Sequence, residues 1–390
     1  MDELLSHEIL GLRARAQAVA AEHLAPAAER VDREGAWPQH AMRALAEAGL
    51  MGLTVPRRLG GQGQGLLALA VLTETLARAC PSSAMCYGMH CVGAAVIAAK
   101  ATAAQEQAYL RPIAAGQHVT TLALSESATG AHFYVPQTRL TRDAGDGGSL
   151  VVNGAKQFVT NGSRADSYVV STLASGQGAE AGEFSCLVVD RDLPGMTWQD
   201  EWDGLGMRGN SSRAVRLDDV RVPADRLLGC EGDQLWYVFE VVAPYFLTAM
   251  AGTYLGVAQA ALDVATAHLR LRRYGHSGES LADAPVLQHR VAELWMAVQK
   301  TRGLIYNACQ MGDLGDPRAL PFVLACKADA GDTAVHVANE AMTLCGGSAY
   351  RENSTLARLL RDARASHVMA PTTDLLKQWT GRALLGMPLL

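Results

Sequence analysis

The first 118 residues carry apolar side chains at the three-and-four spacing of amphipathic helices. Residues 42–50 are apolar at positions 42, 45, 46 and 50, and residues 72–79 are apolar at positions 72, 76 and 79. Side chains at this spacing share one helical face, so both stretches are predicted to be helices. Residues 55–63 contain Pro56 and three glycines, which predicts a loop between the helices.

Between about residues 119 and 228 the pattern changes to short runs rich in β-branched residues. The dipeptides Asn153-Gly154 and Asn161-Gly162 favour the positive φ angles of tight hairpin turns. The charged, glycine-containing run at 142–148 predicts a hairpin tip. The predicted strands cover residues 119–124, 149–152, 157–160, 167–172, 184–189 and 214–222.

Helical patterning returns from about residue 233. Residues 244–272, 286–311, 318–345 and 353–383 are rich in alanine and leucine, and Gly346-Gly347 and Pro371 interrupt them. Helices, then strands, then helices predict an α+β fold whose elements follow in series. We expect an N-terminal helical domain at 1–118, a middle β domain at 119–232 and a C-terminal helical bundle at 233–390.

Composition narrows the class of protein. The chain has 390 residues, of which 49% are hydrophobic and 19% are charged, and its net charge of −5 comes without any run of lysine or arginine. These values are typical of a globular protein and predict neither a nucleic-acid nor a membrane partner. The acidic start is unlike a signal peptide, and no uninterrupted apolar stretch is predicted to span a bilayer, so a cytoplasmic protein is expected.

Eight cysteines occur without any CxxC pair, and we expect them to be reduced, buried thiols. Cys86, His90 and Cys91 lie close together in sequence and could be imagined as ligands of a metal ion. A structural zinc site needs a second pair of ligands, which is not found elsewhere in the sequence. A packed helix face is the better interpretation, and no metal is predicted.

Residues 153–162, NGAKQFVTNG, closely resemble the NGxKxWITNG hairpin of the acyl-CoA dehydrogenases. Further motifs follow in family order: VPRRLGG at 55–61, LALSESATGA at 122–131, LGMRGNSS at 205–212, DDVRVP at 218–223, RLRRYG at 270–275, TLCGG at 343–347, RDAR at 361–364 and GRALLG at 381–386. The resemblance covers nearly the whole chain. It implies the family fold, in which the middle domain is barrel-like and the C-terminal domain is a four-helix bundle.

The resemblance implies that FAD lies between the β domain and the C-terminal bundle, with an acyl thioester on its re face. Phe158 and Thr160 stand where the family has the aromatic ring and the hydroxyl that contact the flavin. Arg272 stands near the position of an FAD-binding arginine, and its planar fork suits a pyrophosphate. The residues expected at FAD are Leu122, Leu124, Ser125, Ala131, Phe158, Val159, Thr160, Arg272, Thr343, Gly346, Gly347, Thr372 and Asp374.

Two further expectations come with the resemblance. The TLCGG motif matches a family segment that reaches the FAD of a neighbouring subunit, which implies a homotetramer or a dimer. Family dehydrogenases pass electrons to an electron-transfer flavoprotein, so such a partner is implied too. The loop at 122–131 departs from the family pattern, because Ser127 replaces a proline and Ala131-His132 replace a Ser-Asp pair.

The family's catalytic glutamate is missing. A general base must lie within reach of the α proton of the thioester, and alanine cannot accept a proton. Ala370 stands at the glutamate position and Pro371 follows it; Phe246 occupies the alternative position that some family branches use. Tyr87 and His90 are expected to wall the acyl pocket together with Phe246, Ala370 and Pro371. The candidates for a substitute base are His90, His132 and Tyr245.

Three functions remain open from the sequence. The first is an FAD-dependent oxidoreductase that acts on an acyl thioester of CoA or of a carrier protein, with a relocated base. The second is a flavin-dependent monooxygenase or another reaction that needs no α-proton base. The third is a non-catalytic subunit of a hetero-oligomeric acyl-CoA dehydrogenase. The retained Phe158, Thr160 and Arg272 argue against the third.

Overall fold

The computed structural model describes residues 5–143, 148–175, 184–233 and 236–389, which form two helical regions with a β region between them. This order confirms the predicted α+β fold in series; the exact domain bounds stay predictions. The helices of the first region are α1 (His7–Val19), α2 (Ala28–Glu34), α3 (Gln39–Glu47), α4 (Leu66–Ala77), α5 (Pro81–Ala99), α6 (Ala103–Gln105) and α7 (Arg111–Ala114).

Helix α5 lies at the centre of the molecule. Every residue from Pro81 to Ile97 is buried, as expected of a helix that is apolar around its whole circumference. Cys86, His90 and Cys91 all belong to this buried face. Gly93 allows strand β1 to cross closely, because a Cβ at this position would lie 3.0 Å from the backbone nitrogen of Thr121.

Two helical segments, Pro81–Ala99 and Tyr237–Leu271, are long and apolar enough to cross a membrane by length and composition. The expectation that no apolar stretch reaches that length was therefore wrong. Their apolar windows are 89% and 83% buried inside the fold, which is the behaviour of core helices. The hydrophobicity of both segments is therefore used in packing.

The β region consists of two four-stranded sheets. One has the strand order β1-β4-β5-β8, with β1 parallel to β4, and the other has the order β2-β3-β7-β6. Three short strands, β2, β6 and β8, were not predicted. The strands are β1 (Thr120–Ala123), β2 (Arg139–Arg142), β3 (Leu150–Val159), β4 (Ser167–Leu173), β5 (Phe184–Asp190), β6 (Met196–Trp198), β7 (Arg213–Val222) and β8 (Leu227–Leu228).

The pair Asn153-Gly154 does not form the predicted hairpin turn. The two runs on either side belong to the single strand β3, and the pairing of this strand with β7 shifts between Val152 and Gly154. A Cβ at Gly154 would lie 2.6 Å from Oγ1 of Thr138, so glycine is required by a close approach within an irregular strand. Asn161, with φ of 61°, does begin a turn. Of the predicted hairpin tip at 142–148, residues 144–147 lie outside the described residues.

The C-terminal region is a helical bundle in which α10 packs against the four other helices of the region. The helical region predicted over 353–383 consists of two helices, and the break includes Pro371, where an interruption was expected. The helices are α8 (Ala243–Leu271), α9 (Pro285–Asp313), α10 (Ala319–Cys345), α11 (Thr355–Val368) and α12 (Thr373–Leu384).

Polar side chains join the three regions beside α11. Arg361 forms an ion pair with Asp32 and donates a hydrogen bond of 3.0 Å to the carbonyl of Leu205. The neighbouring Asp362 accepts a hydrogen bond of 2.6 Å from the backbone nitrogen of Met207, and burial raises the pKa of Asp362 to about 6. The RDAR motif thus holds the loop before β7 against both helical regions.

Candidate active site

A cavity of about 480 Å³ opens where the three regions meet, and we call it the central cavity. Its wall is formed by α5, by the ends of β1 and β3, by the start of α8 and by the segment that joins α11 to α12. Most of the lining is apolar. A concave, mostly apolar site of this size is typical of a small-molecule or cofactor site.

The wall contributed by the β region presents an aromatic ring and two hydroxyl groups. Phe158 has a φ of 55° and is 65% exposed, both of which are costly for a large apolar residue. Trp202 lies at its edge, with 6.3 Å between the ring centroids. Within the described residues, the hydroxyls of Ser125 and Thr160 have no hydrogen-bond partner. This wall therefore fits a flat aromatic ligand that stacks on the ring and bonds to the hydroxyls.

A buried ion pair supports that wall. Nζ of Lys156 lies 2.6 Å from Oε1 of Glu126 and also donates to Ser171 and to the carbonyl of Leu124. Oε1 of Glu126 accepts a second hydrogen bond, of 2.7 Å, from the hydroxyl of Thr138. Burial alone would raise the pKa of Glu126, but Lys156 and the hydrogen-bond donors hold it below its usual value. Glu126 is thus an ionised structural group.

The opposite wall is apolar. Met85 and Met89, one turn apart on α5, face Phe246 and Met250, which are spaced in the same way on α8. Ala370 follows from the segment after α11, and Pro371 beside it also lines the cavity. Three of the five residues predicted for the substrate pocket, Phe246 among them, are therefore in the wall.

The segment that carries Ala370 is held by one buried lysine. Nζ of Lys327, on α10, donates hydrogen bonds to the carbonyls of Ser366 at 3.0 Å, Met369 at 2.8 Å and Pro371 at 2.7 Å. The three acceptors use all three ammonium protons. Burial lowers the pKa of Lys327 to about 7, yet an uncharged amine would leave one carbonyl without a donor. We conclude that the ammonium fixes this wall of the cavity.

His90 and Tyr87 do not reach the central cavity, and their predicted roles need correction. Nε2 of His90 lies 2.9 Å from the carbonyl of Met51, while Nδ1 accepts from the backbone nitrogen of Thr120 at 3.2 Å. Burial lowers the pKa of His90 to about 4, so both ring nitrogens serve a neutral structural side chain. Tyr87 donates to the carbonyl of Leu50, and burial raises its pKa well above the usual value.

The two other candidate bases also lie outside the central cavity. His132 is exposed and stacks edge-on against Tyr134, at 5.7 Å between ring centroids. Tyr245 lines a second, larger cavity, and burial raises the pKa of its phenol, which opposes a role as a base at neutral pH. The structure therefore supports none of the three predicted substitutes.

Among the described residues that line the central cavity, Glu126 is the only one with an ionisable side chain. Its carboxylate is bound by Lys156 and Thr138, so it cannot also accept a substrate proton. Ala370 and Phe246, which the sequence predicts to stand at the positions of the family's base, also line the cavity and have no ionisable group. The described part of this chain thus offers the central cavity no free side-chain base.

The residues predicted at FAD divide into two groups. Leu122, Leu124, Ser125, Ala131, Phe158, Thr160 and Thr372 line the central cavity. Val159 is instead buried in the core of the β region. Arg272, Thr343, Gly346, Gly347 and Asp374 are exposed on the bundle and do not line the cavity.

The sequence analysis did not predict several residues that line the central cavity. Met85 and Met89 lie on the opposite face of α5 from Tyr87 and His90, and a helix that is buried all round gives no amphipathic signal to distinguish its faces. The i, i+4 spacing of the two methionines was the one usable sign. The other unpredicted lining residues include Phe133, Gln157, Trp202, Met207, Asn210, Ser212, Met250 and Met369.

Comparison with known proteins identifies this architecture. The N-terminal, middle and C-terminal domains of acyl-CoA dehydrogenases match residues 6–117, 121–220 and 247–385 respectively. The fold and the cavity are those of a flavin-dependent oxidoreductase. The chain belongs to the acyl-CoA dehydrogenase family.

Similar proteins cover almost the whole chain. Cyclohex-1-ene-1-carbonyl-CoA dehydrogenase of Geobacter metallireducens is 32% identical over 94% of this chain and 95% of its own length. The mitochondrial isovaleryl-CoA dehydrogenase of Arabidopsis thaliana is 30% identical over 94% of this chain and 88% of its own. The structure of butyryl-CoA dehydrogenase from Megasphaera elsdenii superposes with a TM-score of 0.91 at 26% identity, covering 98% and 99% of the two chains.

FAD is the cofactor of this family and of this protein. The β wall of the central cavity fits the flavin ring, because Phe158 presents an exposed aromatic ring next to the hydroxyls of Ser125 and Thr160. The chain is therefore an FAD-dependent, acyl-CoA dehydrogenase-like enzyme.

Proposed function

We propose that this enzyme oxidises an acyl thioester, and that no side chain of its own central cavity takes the α proton. One observation supports the proposal: Phe158, Ser125 and Thr160 line one wall of the central cavity, while the wall opposite is apolar and includes Ala370 and Phe246. Bound FAD supplies a hydride acceptor for the β carbon of the acyl group. The acyl chain binds against Met85, Met89 and Phe246, which exclude water from it.

Loss of the side-chain base restricts the substrate. An ordinary α proton needs a positioned acceptor, and general bases typically contribute about 100-fold or more to such a step. The substrate of this enzyme therefore carries a more acidic α proton or its own proton acceptor, or a water molecule accepts the α proton. The polar lining groups Asn210 and Ser212 lie in the same cavity and can orient such a substrate.

The same observation favours a second candidate, a flavin reaction that requires no α-proton base, such as a monooxygenation. The apolar wall at Ala370 suits this chemistry equally, because nothing there has to exchange a proton. The two candidates differ in the electron source. A dehydrogenase takes electrons from its substrate, whereas a monooxygenase must receive a reduced flavin and oxygen.

An anaerobic titration separates these functions. The FAD-loaded protein is mixed with a panel of acyl thioesters, on CoA and on pantetheine, while the visible absorbance of the flavin is recorded. Bleaching by one acyl group supports the dehydrogenase. Unchanged flavin, together with substrate-dependent oxygen uptake when reduced flavin is supplied, supports the monooxygenase. A protein that does not retain FAD would contradict both the dehydrogenase and the monooxygenase and would indicate a non-catalytic subunit.

We also propose that the cofactor site is shared between subunits of a homotetramer or a dimer in the cytoplasm. Arg272 and the TLCGG segment are exposed away from the central cavity, and a Cβ at Gly347 would meet nothing within 4 Å. Such a surface can approach the phosphates of FAD on a neighbouring chain. Sedimentation analysis measures the number of subunits in the assembly. If the Arg272→Ala variant loses FAD but remains folded, that result would support the shared site. An electron-transfer flavoprotein is the acceptor we would test first.

A further inference from the structure

A second cavity of about 1300 Å³, which we call the outer cavity, adjoins the central cavity. The two share Phe133, Ala243 and Leu247 as lining residues. A substrate whose acyl group lies in the central cavity can therefore extend its thioester arm into the outer one. The chemistry of the outer cavity then decides which arm is accepted.

The described lining of the outer cavity contains three acidic side chains, Glu240, Asp313 and Asp316, and no lysine, arginine or histidine. Glu240 is exposed and has no ion-pair partner among the described residues. Three arginines come near the rim without lining the cavity. Arg382 donates a hydrogen bond to the carbonyl of Pro388 and has no ion-pair partner among the described residues, whereas the other two are paired with carboxylates. Arg318 binds Asp316 through both carboxylate oxygens, and Arg57, beside Gly63, binds Glu8.

Helix N-termini are the other common source of anion-binding groups, because their backbone N–H groups are unpaired. Three helices begin at the outer cavity. The start of α8 is not free, because a helical turn over Tyr237–Val242 precedes it and the backbone nitrogen of Ala243 donates to the carbonyl of Val238. Carboxylates of this chain occupy the starts of the other two. Asp313 accepts from the backbone nitrogens of Leu66 at 2.6 Å and Leu67 at 3.0 Å, in the first turn of α4. Asp316 accepts from the backbone nitrogen of Arg318 at 2.9 Å, immediately before α10. Neither start is free to bind a phosphate.

We propose that the outer cavity accepts an uncharged pantetheine arm and discriminates against the nucleotide of CoA. The diphosphate and the ribose phosphate of CoA carry several negative charges. The acidic groups that line the outer cavity are the unpaired carboxylate of Glu240 and the already bonded carboxylates of Asp313 and Asp316. Like charges brought together oppose binding and slow the encounter. A pantetheine arm has only amides and hydroxyls in this region, so the carboxylates do not weaken its binding by charge repulsion. The inference rests on the proposed function and names the form of its thioester substrate.

The test compares ligands that differ only in the nucleotide. Binding of pantetheine and of CoA to the FAD-loaded protein is measured by calorimetry at low and at physiological salt, without any acyl group or turnover. We expect pantetheine to bind about tenfold more tightly than CoA at low salt, and the gap to narrow as salt screens the repulsion. Equal or tighter binding of CoA, a CoA affinity that falls as salt is added, or binding of neither ligand would each overturn the inference.

A charge-reversing substitution at Glu240 provides a second test. Glu240→Lys should strengthen binding of CoA by about tenfold and leave pantetheine unchanged. Glu22→Lys, which changes an exposed glutamate that lines neither cavity, is the matched control and should alter neither affinity. Because binding is read without flavin reduction, this result is independent of the proposed reaction. Flavin that stays oxidised with every acyl-pantetheine would reject the proposed function while the charge preference was still measured.

Discussion

Nζ of Lys156 lies 2.6 Å from Oε1 of Glu126, and this ion pair, almost completely buried, ties two motifs of the flavin wall together. Lys156 belongs to β3, which carries Phe158, and Glu126 follows Ser125 in the loop after β1. Each partner has additional hydrogen bonds, so neither is left unsatisfied in the native protein. The pair therefore sets the distance between the aromatic ring and the hydroxyl that line this wall of the central cavity.

Removing one member of this pair should destabilise the protein. Lys156→Met leaves a buried carboxylate without its counter-ion, and we expect a loss of about 3–5 kcal/mol in the free energy of unfolding. The double variant Lys156→Met/Glu126→Gln should lose less than the sum of the single changes, because no unpaired charge remains. Denaturant unfolding of the four proteins measures the coupling. Strict additivity would show that the pair does not act as a unit.

The wall at Ala370 should depend on Lys327 in a similar way. Lys327→Met removes the donor for three buried carbonyls, and a cost of about 2–4 kcal/mol is expected. The segment 366–371 should then exchange its amide hydrogens faster, while β3 on the far side of the cavity should not. Hydrogen exchange followed by mass spectrometry distinguishes this from general loosening. Uniform acceleration across both segments would contradict a positioning role.

The fold was predicted correctly, and several residues predicted at FAD line the central cavity, because both leave local signals in the sequence. The segment NGAKQFVTNG resembles a family motif, and Phe158 and Thr160 are assigned from that resemblance, although Asn153-Gly154 lies within strand β3 and forms no hairpin turn. The prediction that His90 and Tyr87 line the acyl pocket was wrong for a physical reason. His90 and Tyr87 are polar residues on a helix buried on every side, and their partners, the carbonyls of Met51 and Leu50, come from a distant loop. Nothing in the sequence reveals that such hydrogen bonds are already made.

His90 should make folding sensitive to acid. The folded protein keeps the imidazole neutral with a pKa of about 4, whereas the unfolded chain takes up a proton near pH 6.5. The unfolded state therefore binds more protons between these values, and His90 should lower stability by up to about 3 kcal/mol as the pH falls from 7 to 4. The difference in stability between the wild type and His90→Gln should shrink over this range. An unchanged difference would mean that the pKa of His90 is the same in the folded and unfolded states.

Phe158 should contribute to FAD affinity and not to folding, because its ring is 65% exposed. Phe158→Ala removes the stacking surface, and we expect FAD to bind about tenfold more weakly. The recovery of flavin fluorescence on dilution reports the dissociation. Phe322→Ala is a suitable control, since Phe322 is also exposed and lines neither cavity. Equal FAD affinity in Phe158→Ala and the wild type would refute the proposed contact.

A base introduced at Ala370, where we propose that the family's glutamate is replaced, gives the most direct test of the substrate geometry. Ala370→Glu places a carboxylate on the apolar wall, where Lys327 still holds the backbone. If the α carbon of the substrate lies beside Ala370, the variant should exchange the α proton of a bound acyl thioester with solvent about 100-fold faster than the wild type. Deuterium incorporation from D2O, measured under anaerobic conditions, reports this step separately from flavin reduction. Ala370→Gln has the same shape without the base and should not accelerate exchange, whereas Phe246→Glu tests the alternative position. If the Ala370→Glu protein retains FAD and binds the thioester but exchanges no faster than Ala370→Gln, the α carbon lies elsewhere in the cavity.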